Sequence, residues 1–222
     1  MKMKSENLYD VKEKSYFSQN RLEMLQFIPP TATRLLEVGC GRGGFIGALK
    51  RQRDVFAVGI EPFEAAAEEA RQHFDRLHTT SFEEALNALK GEQFDCIVFN
   101  DVLEHLLNPW ELLHAIRSNL APGGCIVASI PNIRYWPILR DLMVSGNWIY
   151  SDHGVLDRTH LRFFTHKSMK KMFEQAGYDV VSLTGINPIR FTWKQELLNK
   201  ILSGLLHDTR FMQYACVSKL SS

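Results

Sequence analysis

Short apolar runs alternate with amphipathic segments from about residue 34 to residue 181. That rhythm belongs to βα units building a parallel sheet covered on both faces, because strands buried on both sides read as nearly unbroken Val, Ile, Leu and Phe. Runs at 34–38, 55–60, 76–78, 94–99 and 125–130 predict strands. Between them, 64–74 is rich in Ala and Glu, 82–89 follows Ser81 as an N-cap, and Pro109 opens a helix over 109–120. After residue 130 the rhythm breaks, and 131–165 is too long and too aromatic for an ordinary connection, so it reads as an insertion over the active face. A helix over 167–176 ending at Gly177 and a strand over 178–183 follow. The next helix, about 192–206, places Leu197, Leu198, Ile201, Leu202, Leu205 and Leu206 on one face, the pattern of a core or homodimer contact. The stretch 211–220 reads as an edge strand.

The 222 residues, 45% of them hydrophobic, suit a single α/β domain over 1–222, with a helical cap over about 1–30. A formal net charge of +1 provides no field for nucleic acid and favours a small-molecule partner. No apolar stretch approaches the roughly 18 residues of a spanning helix, and no apolar signal region follows the first basic residues, so a cytoplasmic location is expected. Cys40, Cys96, Cys125 and Cys216 lack C-x-x-C spacing and read as reduced thiols.

The most informative segment is Leu35-Leu36-Glu37-Val38-Gly39-Cys40-Gly41-Arg42-Gly43-Gly44-Phe45, a buried strand running straight into a glycine cluster and then a helix. Glycine there permits a tight turn and lets a ligand lie against the backbone. Gly39, Gly41 and Gly44 also satisfy G-x-G-x-x-G, so an NAD-dependent oxidoreductase is one reading. Glu61, closing the second strand, is placed to accept from two ribose hydroxyls, at roughly 1.5–3 kcal/mol per hydrogen bond, and leaves no room for a 2′-phosphate.

The acidic residue before the glycines separates the readings. Glu37, Gly39, Gly41 and Gly43 match the acidic-x-G-x-G-x-G motif, and the chain resembles the class I S-adenosylmethionine-dependent methyltransferases. The segment from Phe94 to Leu106 is similar to the family's fourth motif, and Leu120-Ala121-Pro122-Gly123-Gly124 to the turn before its fifth strand. The resemblance implies a Rossmann-like, doubly wound, mostly parallel seven-stranded sheet with an antiparallel last strand. It also implies S-adenosyl-L-methionine as cofactor, with Glu37 holding the amino group, Cys40 and Pro62 in the loops around it, and Asn100 lining the methionine side. Ser81, where many relatives carry Asp, and Phe82 would flank the adenine. A helix over 16–27 would close the cofactor mouth, with Tyr16 and Arg21 as candidates, Arg21 for the methionyl carboxylate.

Methyl transfer from a sulfonium asks the protein chiefly for alignment. Where the acceptor is a hydroxyl, a base helps, and His105, just past the fourth strand, is the first candidate, with Glu104 beside it. His160 is the second. It lies in His153-Gly154-Val155-Leu156-Asp157-Arg158-Thr159-His160-Leu161-Arg162-Phe163-Phe164-Thr165, which resembles a segment of bacterial methyltransferases of polysaccharide and lipopolysaccharide biosynthesis and implies a saccharide acceptor. The plainer reading of this run is an Asp157–Arg158 ion pair with Phe163 and Phe164 packing a helix start. Asp152, His153, Asp157 and His160 match no metal spacing, and no metal is expected. Tyr135, Trp136, Trp148 and Tyr150 are candidates for a lid or a sugar platform, or for anchoring the insertion. A non-catalytic partner protein that keeps the fold is the remaining alternative.

Overall fold

In the computed structural model, which describes residues 20–221, the alternating runs fold into one seven-stranded sheet with helices on both faces. The strands are β1 (Arg34–Val38), β2 (Phe56–Ile60), β3 (Arg76–His78), β4 (Phe94–Asn100), β5 (Leu120–Pro131), β6 (Tyr178–Pro188) and β7 (Phe211–Leu220). They lie in the order β3-β2-β1-β4-β5-β7-β6, parallel from β3 to β5, with β7 antiparallel to both its neighbours.

Alternation along the central strands decides how both faces are filled. Leu36 and Val38 of β1, Ile97 and Phe99 of β4, and Ile126, Ala128 and Ile130 of β5 join one apolar cluster. Their neighbours Leu35, Cys96, Val98, Cys125 and Val127 join the other, on the opposite face. Helices α1 (Gly44–Lys50) and α2 (Glu64–Ala70) stand by the second cluster, where Phe45, Ile46 and Ala70 are buried. Helices α3 (Phe82–Ala88), α4 (Pro109–Ala115) and, after α5 (Trp136–Ser145), α6 (His166–Gln175) cover the first with Ala85, Leu113 and Phe173. The caps act as the residue types demand: the Ser81 hydroxyl accepts from the Glu84 N–H, and Thr165 and Ser168 form a capping box.

Three expectations change. The stretch 211–220 is not an edge. β7 sits between β5 and β6 because consecutive residues Gln213 to Cys216 are all buried, which takes neighbours on both sides, whereas β6 exposes Asp179 and Val181 and forms the edge. Helices α2 and α4 end early, tightening into 3-10 turns at Arg71–His73 and Ile116–Asn119. The last helix, α7 (Trp193–Ile201), does not bury its apolar stripe: Leu197, Leu198, Ile201, Leu202 and Leu205 are exposed, so within this chain the stripe is not core. Of the helix expected over 16–27, residues 16–19, with Tyr16, lie outside the described residues, and the rest is a 3-10 helix at Leu22–Phe27 that buries Met24. No helix among the described residues is long and apolar enough to cross a membrane.

Candidate active site

The carboxyl ends of β1 to β5 open into a cleft of about 980 Å³, where ligands of open α/β sheets bind. Strand order sorts its wall. Ser81 and Phe82 follow β3, Glu61 and Pro62 follow β2, the glycine loop follows β1, and the segment from Asn100 to Leu106 follows β4.

In the loop, Gly39 (φ 67°) and Gly41 (φ 53°) take left-handed conformations. A Cβ on Gly39 would also meet the Val102 side chain at 2.7 Å, so the turn admits no larger residue without a shift. The loop is hooked to the second strand: the Gly39 N–H donates to the Ile60 carbonyl at 2.8 Å, and the Gly41 N–H to Glu61 Oε2 at 2.7 Å. Glu61 Oε1 accepts from the Phe63 N–H at 3.0 Å. Glu61 therefore ties two binding loops together, and each oxygen keeps a lone pair for a hydroxyl. Burial raises its pKa, opposed by those two N–H groups.

Glu37 lies beneath the loop and is buried. Asn100 Nδ2 donates to its Oε1 at 3.4 Å, while its Oε2 and Asn100 Oδ1 are buried without a hydrogen-bond partner among the described residues. Loss of hydration pushes Glu37 up to about 8, with Asn100 opposing and Glu61 adding to the rise. Two orphaned acceptors side by side, one a carboxylate, fit the cationic amino group of S-adenosylmethionine. Burial, Glu37 and Glu61 likewise push the Cys40 thiol well up, which makes it an inert wall residue rather than a nucleophile.

Past β4 the chain turns at Asp101, whose φ of 56° is unusual for a residue with a side chain. Its carboxylate is a hub. Arg21, Ser129 and Gln213 donate to Oδ1 at 3.0, 3.0 and 2.8 Å, and Arg21 Nε lies 2.9 Å from Oδ2. Arg21 also pairs with Glu23 at 3.1 Å, so this guanidinium is held by the protein's own carboxylates, not reserved for the cofactor's.

The insertion closes on this turn. The N–H groups of Leu161 and Arg162 donate to the Glu104 carbonyl at 2.9 and 3.0 Å. His105 Nδ1 is 3.2 Å from the Thr159 carbonyl, His160 Nδ1 is 3.0 Å from the Val155 carbonyl, and the two imidazoles stack edge to face at 4.7 Å. The Glu104 carboxylate, 1% exposed, has no hydrogen-bond partner on either oxygen among the described residues. Burial, with Asp101 second, drives its pKa well above the carboxylate range. Over this group Phe163 packs edge to face on Trp148 at 5.4 Å.

Nearly every residue picked from the sequence reaches the cleft: Glu37, Gly39, Cys40, Gly41, Glu61, Pro62, Ser81, Phe82, Asn100, His105 and His160 all line it. Gly43 does not. It supplies the left-handed N-cap of α1 against Ala70 and Phe74, a packing role. The Asp157–Arg158 pair does not form, because Asp157 accepts from the Thr159 N–H and hydroxyl at 2.8 and 2.6 Å while Arg158 pairs with Asp152 at 2.9 Å. Phe164, not Phe163, enters the core. Missed from the sequence were the Asp101 hub and the meeting of Glu104 with both histidines. Their only trace was Asp101-x-x-Glu104-His105 directly after a buried strand.

Comparison with known proteins supports the same cofactor. A family model described as Methyltransferase domain matches residues 9–183. The chain is 31% identical over 180 residues to a protein of Roseobacter denitrificans named Ubiquinone biosynthesis O-methyltransferase, covering 75% of this chain and 68% of that one. It is 32% identical over 177 residues to one of the same name from Ruegeria pomeroyi, at 74% and 68% coverage. In fold it is similar to a SAM-dependent methyltransferase from Archaeoglobus fulgidus, with a TM-score of 0.64 at 20% identity over 90% of this chain and 91% of that one. The oxidoreductase reading, which rested on glycines shared by both classes, gives way, and the chain belongs to the S-adenosylmethionine-dependent methyltransferases.

Proposed function

We propose that this enzyme methylates a hydroxyl oxygen of a small-molecule acceptor bound between the β4 turn and the insertion. The observation that carries this reading is the His105–His160 pair. Each imidazole sets its Nδ1 against a backbone carbonyl, Thr159 O at 3.2 Å and Val155 O at 3.0 Å, and both rings line the end of the cleft away from the adenine side. A hydroxyl, unlike an amine, gains from such groups because it must lose its proton as the new bond forms.

S-adenosylmethionine supplies the electrophilic methyl. Glu37 and Asn100 would hold its amino group, Glu61 the ribose, and Ser81 and Phe82 the adenine. With both partners held in line, alignment supplies on the order of 7–11 kcal/mol of the barrier reduction. The aromatic cover of Trp148 and Phe163, and relatives named for ubiquinone biosynthesis, favour a phenolic acceptor with an apolar substituent. A saccharide acceptor draws no support from those relatives. The four buried free thiols are consistent with action in the cytoplasm. The domain is read as one unit over 1–222, with 131–165 as the acceptor-side cover.

The test is S-adenosylhomocysteine release on a panel of alkyl-substituted catechols, simple sugars and primary amines. Turnover confined to the catechols supports the reading. Turnover on amines alone would overturn it, turnover on sugars alone would overturn the phenolic acceptor while leaving O-methylation standing, and tight S-adenosylhomocysteine binding without turnover on any acceptor would favour a non-catalytic partner protein.

A further inference from the structure

We propose that Gln213 is a positioning residue of methyl transfer, whose side-chain amide fixes the turn after β4 by holding Asp101. The inference concerns the transfer itself and applies to whichever acceptor of the panel above turns over. Gln213 closes a hydrogen-bonded ring of five polar side chains drawn from four parts of the chain. Its Nε2 donates to Asp101 Oδ1 at 2.8 Å, and its Oε1 accepts from Asn187 Nδ2 at 3.0 Å. Asn187 Nδ2 also donates to Glu23 Oε1 at 3.3 Å, Glu23 pairs with Arg21 at 3.1 Å, and Arg21 donates back to Asp101 Oδ1 at 3.0 Å.

Backbone conformation sets this ring apart from an ordinary polar network. Among the described residues, those with a side chain and a positive φ are Arg21 (43°), Asp101 (56°), Asn187 (51°) and Ser203, and the first three belong to the ring. Such backbone is sparsely populated for residues other than glycine, persists where the surrounding contacts over-determine it, and gathers at functional sites. Here the contacts are those of the ring, and Arg21, Asp101 and Gln213 all line the cleft.

Glutamine suits the place because it offers a donor at one atom and an acceptor at the next without a charge. A carboxylate at 213 would face that of Asp101, and an apolar side chain would remove one of the three side-chain donors on Asp101 Oδ1 together with the acceptor for Asn187. Gln213 is itself buried in the sheet, in register with Pro131 of β5 and Ile186 of β6, so it is a fixed anchor for the turn. That turn serves both halves of the cleft. Asn100, one residue before Asp101, sets Nδ2 on Glu37 at 3.4 Å, while Glu104 and His105, three and four residues after it, line the acceptor end. A misplacement of about 1 Å there costs on the order of a hundredfold in rate.

The experiment compares Gln213→Leu and Gln213→Glu with the wild type. Amide hydrogen exchange, which needs no acceptor, should quicken roughly tenfold over 100–106 in Gln213→Leu while β1 and β5 keep their protection. Its turnover should fall roughly ten- to hundredfold, with S-adenosylhomocysteine affinity changed by less than about fivefold. Gln213→Glu keeps the shape: with one proton shared between the two carboxyl groups it donates to Asp101 as the amide does, and repulsion between them sets in when that proton leaves. Arg21, Glu23, Glu104 and His160 are the other charged or titratable groups facing Asp101. Turnover of Gln213→Glu, relative to wild type at the same pH, should therefore match it near pH 6 and decline as pH rises, whereas the ratio for Gln213→Leu stays constant. Gln213→Glu also keeps the test open if Gln213→Leu does not fold. Unchanged exchange over 100–106 in Gln213→Leu, affinity lost as far as turnover, or a pH-independent ratio for Gln213→Glu overturns the proposal.

Discussion

On the β3-β2-β1 half of the cleft, the binding groups lie within a few residues of three strand ends, and the loop that matters is shaped by backbone conformation: Gly39 and Gly41 at positive φ, with Glu61 accepting from the Gly41 N–H. On the β4 half, Glu104 and His105 meet His160 across more than fifty residues, through carbonyls of the insertion and N–H groups donated back to the Glu104 carbonyl. Both halves bury a carboxylate with an oxygen that has no hydrogen-bond partner among the described residues, Glu37 in one and Glu104 in the other. The difference is in what holds them. The cofactor half is specified by a contiguous strand-turn-helix and tolerates little change, whereas the acceptor half depends on a long insertion docking correctly.

The comparison breaks first if the glycine turn proves replaceable. Gly39→Val places a branched side chain at φ 67° and a Cβ 2.7 Å from the Val102 side chain. The left-handed strain alone costs about 1–2 kcal/mol, and the clash moves either the loop or the β4 turn. S-adenosylhomocysteine affinity measured by titration calorimetry should fall by more than a hundredfold, with the thermal transition still cooperative. Affinity within threefold of wild type would show that the loop does not set the cofactor site.

A smaller effect, carried by one proton, tests the buried carboxylate of the same half. Glu37 sits at about 8 in the folded protein against an ordinary value of 4.5. Between those values the folded chain holds a proton that the unfolded chain has lost, so the stability of the ligand-free protein falls as pH rises from about 4.5 to about 8. A cationic amino group needs the ionised carboxylate. Cofactor-product binding should therefore release a proton, strengthen by up to about tenfold per pH unit below 8 and level off above it. Glu37→Gln should flatten both profiles; a wild-type affinity independent of pH between 6 and 8 would remove Glu37 from the amino-group site.

The sheet and the cofactor half were legible because their signals are local: unbroken apolar runs, a strand entering a glycine cluster, and an acidic residue closing β2. What was not legible depends on partners distant in sequence. The residue pattern of β7 does not say which strands flank it, and the burial of Gln213 to Cys216 on both faces follows from β5 and β6 lying on either side. Gly43 looked like a ligand contact because the motif does not separate a glycine that touches a ligand from one that packs on a helix. Asp157 was matched with its neighbour Arg158, yet a buried carboxylate is satisfied more cheaply by a Thr159 N–H and hydroxyl two residues on than by a long side chain that prefers solvent. His160 of the insertion meets Glu104 and His105 of the β4 turn, a neighbourhood that no spacing within the insertion announces.

The finest test of the comparison is a substitution that loosens the acceptor half alone. Asp157 is 1% exposed and holds the Thr159 N–H at 2.8 Å and its hydroxyl at 2.6 Å. Thr159 in turn offers the carbonyl on which His105 rests. Asp157→Ala leaves two buried donors without that acceptor, at a cost of about 1–3 kcal/mol, and in a chain of this size each kcal/mol lowers the melting temperature by about 2–4 °C. Among the described residues no hydrogen bond or ion pair joins Asp157 or Thr159 to Glu37, Glu61 or Asn100, so S-adenosylhomocysteine affinity should stay within twofold while turnover falls through misplacement of the histidine pair. If affinity falls as far as stability does, the two halves are one cooperative unit and the division drawn from their construction does not extend to their energetics.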